Sequence, residues 1–267
     1  MKAIINHILL LIIVLTSCNA FAQNNQLVQN DHFVQSGVIE FEKKSNIYAL
    51  ITKKIKGETE SYYKLAFESY KKNNPQFKTT KSTLTFSKNK SLYKWNETNE
   101  STSNNNWIAD DAMANLKNII ATDLDTQTST TQKNVYDDLY LVKDSLRKID
   151  WKITDETREI AGYECRRANA IVLDSVYVVA YFTIQIPFSG GPESFTGLPG
   201  TILGLALPHE NMTWFATKVT EIPVSDKDLV PPIKGKPTDN KGLNKILLDA
   251  LKDWGKWARR ALQAYSM

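Results

Sequence analysis

From Val38 to Glu221 apolar and polar side chains alternate in segment after segment, and this period-two rhythm constrains the chain more than any other feature. Alternation puts one face of a strand on a core and the other in water, the mark of antiparallel sheet. It runs through residues 83–95 (Leu84 and Phe86, then Leu92 and Trp95), 118–123, 135–142 and 148–154, and again through 159–173, 175–186, 201–207 and 213–221. Val38, Phe41, Ile47, Ala49 and Ile51 open the series and predict a strand or hairpin. Residues 96–106 and 123–134 are dominated by Asn, Ser, Thr, Gln and acids and read as loops or hairpin ends.

Helical spacing occurs twice. Tyr62, Leu65, Ala66, Phe67 and Tyr70 predict a helix over residues 57–72, stopped by Asn73-Asn74-Pro75. Residues 241–265 carry Leu243, Ile246, Leu247, Ala250, Leu251, Trp254, Ala258, Ala261, Leu262 and Tyr265 on one stripe, which predicts a single amphipathic helix. The expected fold is therefore β-rich α+β: a curved antiparallel sheet or half-barrel, one helix in the N-terminal half and a C-terminal helix to cover the sheet.

The first 22 residues have the grammar of an export signal. Met1-Lys2 is positive, Ile8 to Leu15 is unbroken apolar, and Ala20-Phe21-Ala22 before Gln23 fits a cleavage site between Ala22 and Gln23. The apolar run is too short to span a bilayer. Leu15-Thr16-Ser17-Cys18 also fits a lipobox, in which Cys18 is acylated; the soluble, cleaved form is favoured. The chain is expected to be exported, periplasmic or outer-membrane-associated, with a lipoprotein as the alternative. The organisation that follows is 1–22 signal peptide, 23–36 flexible leader, 37–225 β-rich domain, 226–239 proline-rich connector and 240–267 C-terminal helix.

Composition excludes several functions. With 42% hydrophobic and 23% charged residues the 267-residue chain has the means for a large core, and a formal charge of +4 is too small and scattered for a nucleic-acid surface. Once Cys18 is acylated or removed, Cys165 is the only cysteine, so no internal disulfide forms. Too few Cys and His remain for a zinc site, and Asp110-Asp111 and Asp137-Asp138 lack the grammar of a calcium loop and read as solvated carboxylates. His32 lies in the polar leader, His209 in a turn-like Leu207-Pro208-His209-Glu210-Asn211, and Cys165 reads as a buried thiol. No metal, cofactor or catalytic residue is expected.

Five of the eleven glycines, Gly190, Gly191, Gly197, Gly200 and Gly204, cluster with Pro187, Pro192, Pro199 and Pro208. A phosphate loop would need a Gly-Lys-Ser/Thr ending and a following helix; here there is no lysine, and a strand-like run follows. Thr196-Gly197-Leu198-Pro199-Gly200-Thr201-Ile202-Leu203 resembles the signature of the GLPGLI family, exported proteins of Gram-negative bacteria without an established biochemical function. Trp151, then Gly162-Tyr163-Glu164-Cys165, Ala180-Tyr181-Phe182-Thr183, Gly191-Pro192 and Phe195 agree in order and spacing. Thr201 replaces the usual aliphatic residue and Tyr181 a common tryptophan. The resemblance implies structural roles for Gly191, Pro192, Phe195, Gly197, Leu198, Pro199, Gly200, Ile202, Leu203, Trp151, Gly162, Tyr163 and Cys165. The leading functional expectation is a non-enzymatic envelope protein that binds an apolar or amphipathic ligand or a protein partner, with peripheral membrane contact by the C-terminal helix a further option; the alternative is a hydrolase using Cys165 or His209.

Overall fold

In the computed structural model, residues 32–55, 60–96 and 107–267 are described, with backbone alone at 256 and 257. Cys18, Ala22, Gln23 and the polar loop 97–106 lie outside them. The fold is β-rich α+β. One open sheet takes its strands in the order β12-β6-β5-β4-β3-β2-β1-β11-β10-β9-β8-β7. These are β1 Ser36–Asn46, β2 Phe77–Ser87, β3 Lys90–Asn96, β4 Ile119–Asp123, β5 Thr128–Val135, β6 Asp138–Ser145, β7 Lys152–Ile160, β8 Tyr163–Val172, β9 Val176–Thr183, β10 Thr201–Leu207, β11 Met212–Glu221 and β12 Lys236–Thr238. Every pairing is antiparallel except β12 on β6.

Alternation sets the inner face. In β1 the odd positions Ile39, Phe41, Lys43 and Ser45 are buried, and Phe41 pairs across to Ser82 and Ala216, Lys43 to Trp214. Leu84, Phe86, Tyr93, Ile120, Phe182, Leu205 and Trp214 join them in one core. A buried large side chain of this kind contributes roughly 1.5–3 kcal/mol. On the other face a small cluster of Leu92, Ala121 and Leu229 lies under the 3-10 turn Asp226–Leu229.

Among the described residues four helices complete the fold: α1 Ile47–Lys54, α2 Glu60–Asn73, α3 Asn240–Leu251 and α4 Lys256–Ser266. Here the chain departs from the alternation in several places. Ile47, Ala49 and Ile51 continue no strand, because the Asn46 side chain accepts the Ala49 N–H at 3.1 Å and starts α1. α2 forms where its spacing predicts, yet only Tyr70 is buried, while Tyr62 and Leu65 face outward.

Residues 159–173 are a hairpin, not one strand: Ala161 (φ 52°) and Gly162 (φ 84°) supply the two positive φ values of a tight turn between β7 and β8. The polar stretch 123–134 yields β5, a strand of Thr and Ser held by ladder bonds to β4 and β6 on both sides. The leader is tied down at its end, where the Val34 N–H donates to Gln185 O and Val34 is buried. The connector 226–239 holds the 3-10 turn and β12.

The C-terminal stripe is broken into α3 and α4 by residues 252–255, with Gly255 at φ 53°. Leu243, Leu247 and Leu251 of α3 and Ala261, Ala264 and Tyr265 of α4 are buried, whereas Trp254 in the break stays 46% exposed.

Candidate functional site

The glycine- and proline-rich segment between β9 and β10 is a buried loop lying on the inner face of the sheet. Ile186, Phe188, Phe195 and Leu198 are core residues, and Phe188 stacks on Phe86 of β2 at 5.8 Å. A buried loop must satisfy its own polar backbone. The Ile202 N–H donates to Gly190 O (2.8 Å), the Thr201 N–H to Ile186 O (3.0 Å) and the Trp151 indole N–H to Thr196 O (2.9 Å).

Thr201 is fully buried in place of an aliphatic residue because its hydroxyl donates to Phe188 O at 2.7 Å. Gly200 sits at φ 150° with Thr183 O only 2.1 Å from where a Cβ would be, so no side chain fits. Gly191 and Pro192 are buried in the same loop, Pro199 is exposed, Gly162 makes the β7–β8 turn, and Tyr163 packs half-buried against the core. Ile202 and Leu203 of β10 are fully buried.

This loop carries a carboxylate into the interior. Glu193 accepts from the Tyr93 hydroxyl (3.2 Å) and the Asn118 amide (2.8 Å), all three buried. Lys43 donates to Met113 O at 2.6 Å and lies 4.9 Å over the Trp214 ring. Burial lowers its pKa to about 8, against the opposing pull of Glu193 and Asp111. Lys133, on the inner face of β5, donates to Tyr265 O at 2.7 Å and is likewise lowered to about 8 by burial. Nothing in the chemistry-bearing motifs marks Lys43 and Lys133. The signal that finds them is parity, since Lys43 falls in step with Ile39 and Phe41, and Lys133 with Thr131 and Val135.

A cleft of about 690 Å³ opens between α1, the 110–117 segment and α4. Asp111, which as a solvated carboxylate would be exposed, is instead buried. Its Oδ1 accepts the Met113 and Ala114 N–H groups at 3.1 Å, and Arg260 of α4 grips both its oxygens. Burial alone would raise this carboxyl; the Arg260 charge and hydrogen bonds outweigh it and hold the pKa below the ordinary carboxylate range. Arg260 also pairs with Glu210, and Lys54 donates to Ile108 O (3.0 Å) and Asp110 O (2.5 Å). Tyr136 faces Trp254 at 5.3 Å and Tyr265 at 5.4 Å, so the cleft has an aromatic wall beside polar Asn115, Asn134 and Lys117.

The residues considered for hydrolysis do not line this cleft. Cys165 is fully buried in β8, and burial pushes its thiol up to about 12. His209 is exposed in the 3-10 turn Pro208–Glu210 between β10 and β11, its ring 6.1 Å from Tyr177; His32 is exposed at the first described position. Asp137 is exposed, and Asp138 pairs with Lys236 at 2.7 Å. Among the described residues no group of His, Cys, Asp and Glu could hold a metal ion, and no helix is long and apolar enough to cross a membrane.

Residues 171–204 match the model of a family described as a protein of unknown function (Porph_ging); the stretch runs from the end of β8 through β9 and the buried loop into β10. No curated protein matches the chain. Among solved structures, PNGF-II in a C2 crystal is similar with a TM-score of 0.50 at 13% identity, over 79% of this chain and 32% of that one. In the P21 crystal the values are 0.49 and 15%, over 79% and 33%. An uncharacterized conserved protein from Thermus thermophilus gives 0.36 at 5%, over 81% and 99%. The likeness to the C2 structure concerns fold alone, and the chain spans about a third of the PNGF-II chain.

Proposed function

We propose that this is an exported, non-enzymatic binding protein of the bacterial cell envelope, of the GLPGLI type, that holds a small amphipathic molecule in the cleft between α1 and α4. The observation that carries the reading is the half-exposed pair Tyr136 and Trp254, 47% and 46% exposed, on the wall of a cavity of about 690 Å³. That volume is in the range of small-molecule sites, and flat rings beside a few fixed polar groups suit a ligand with one apolar face and one polar edge. Ile186, Phe188, Phe195 and Leu198 of the 184–200 loop pack into the core on the inner face of the sheet. Export rests on the apolar run and Ala20-Phe21-Ala22 site of the N-terminal segment.

Binding is favoured over hydrolysis because the Cys165 thiol is held neutral in the core, where it is a poor nucleophile. Native mass spectrometry of protein isolated from the envelope without denaturation tests the reading. A bound mass that solvent extraction removes, and that Tyr136→Ala and Trp254→Ala diminish, supports it; a bare protein, or a mass indifferent to both substitutions, counts against it.

A further inference from the structure

A polar cluster lies inside the core where the buried loop meets the sheet. Ser82 of β2, Tyr93 of β3, Asn118 just ahead of β4 and Trp214 of β11 are each at most 3% exposed. Alternation puts Ser82 on the inner face in step with Leu84 and Phe86, and Trp214 in step with Met212 and Ala216. Tyr93 and Asn118 share the Glu193 carboxylate, and Ser82 and Trp214 both bear on the Tyr93 hydroxyl.

Three atoms of this cluster are left over. Among the described residues, Ser82 Oγ, Asn118 Oδ1 and Trp214 Nε1 are the buried side-chain polar atoms that make no hydrogen bond within the protein. A buried polar group without a partner carries the full cost of leaving water, so three of them in one cluster call for a cause. Turning the Asn118 amide is no remedy, because its oxygen would then face the Glu193 carboxylate. The Tyr93 proton is already given to Glu193. Ser82 and Trp214 act on the Tyr93 oxygen without reaching hydrogen-bond geometry with it, which is the relation a bridging water produces.

We infer that this cluster is an internal water site: an ordered molecule accepts the Trp214 indole N–H and shares a hydrogen bond with the Ser82 hydroxyl. Directly or through a second molecule, the same water satisfies Asn118 Oδ1. Trp214, Ser82, Tyr93 and Asn118 together offer the two to four polar partners that a buried water needs. The water links Glu193 of the buried loop to β2 and β11. None of these four side chains lines the aromatic cleft, so the inference is independent of the ligand proposed there.

A crystal structure of the protein at a resolution that shows ordered solvent tests it, together with thermal melting of Ser82→Ala. The expected density is a water within hydrogen-bond distance of Trp214 Nε1 and Ser82 Oγ. Ser82→Ala removes one partner of that water and is expected to lower the melting temperature by about 2–4 °C, the scale of one hydrogen bond in a chain of this size. A hydroxyl without any partner gives the other sign, since its removal leaves the melting temperature unchanged or raises it. The inference is overturned if Ser82 or Trp214 bonds Tyr93 directly with no water between, if the density is that of an ion, or if Ser82→Ala melts no lower than the wild type. Should that variant fail to fold, the wild-type density decides alone.

Discussion

Arg260 holds Asp111 by two parallel hydrogen bonds, Nε to Oδ2 at 2.9 Å and Nη2 to Oδ1 at 3.1 Å, and so fastens the last helix to the segment that borders the cleft. The geometry is bidentate, and the carboxylate is 4% exposed against 25% for the guanidinium. Arg260→Met would leave a buried carboxylate without its cation. Because Arg260 is partly solvated, the expected loss is about 2–4 kcal/mol in urea unfolding, below the full cost of breaking a buried pair. A change under about 0.5 kcal/mol would show that the pair does not hold α4.

The same pair predicts an acid limb. Asp111 titrates below its ordinary value when folded, so its contribution is present above the unfolded pKa and is lost as pH falls through the folded one. Melting temperature against pH should fall below about pH 4 in the wild type. In Arg260→Met burial is no longer outweighed by that charge, so the decline should shrink or reverse.

Lys43 and Lys133 give a slope of the same sign at the alkaline end. Their folded pKa values of about 8 lie below the ordinary 10.5, so above pH 8 the unfolded chain binds more protons and stability rises with pH. Cys165, raised to about 12 from 9.0, works against this from near pH 9 upward. Melting temperature is therefore expected to climb between about pH 7.5 and 9 and then level off, and Lys43→Met should flatten the climb. A steady fall over that interval would mean that neither lysine is desolvated.

How much of this was legible depends on which force decided each element. Strands whose buried face is apolar, such as β10 from Thr201 to Leu207, announce themselves because burial alone selects them. β5 does not, since Thr128 to Asn134 is polar and is a strand only because β4 and β6 offer ladder partners on both sides. α1 was hidden because Ile47, Ala49 and Ile51 also fit a strand, and the Asn46 cap decides between them.

The cleft was the least visible part. Asp111, Arg260, Tyr136 and Trp254 are far apart in sequence and acquire meaning only when α4 packs beside α1. Tyr265, at the far end of the C-terminal stripe, reads as core, and the break at Gly255 that frees Trp254 has no signal beyond a single glycine.

The buried loop predicts a contrast between two glycines. Gly200→Ala would drive a methyl into Thr183 O and is expected to cost at least about 3 kcal/mol or prevent folding, whereas Gly197, at φ 95° with its nearest neighbour 3.6 Å from a Cβ, should cost only about 1–2 kcal/mol as alanine. Parallel denaturation curves of the two variants check this. Equal losses would mean the loop is free to shift.

Cys165 should be silent in the native protein. A disulfide-exchange reagent at pH 8 is expected to label it only after denaturant is added, because the thiol is both buried and neutral. Rapid stoichiometric labelling of the folded protein would revive a reactive role.

The binding proposal meets its most direct test in a crystal structure of protein purified from native envelope without denaturation or extraction. Ligand density packed against Tyr136 and Trp254, with its polar edge toward Asn115 and Lys117, is the predicted result. A cleft holding only solvent, with those rings turned into a contact of the protein's own chain, would contradict it.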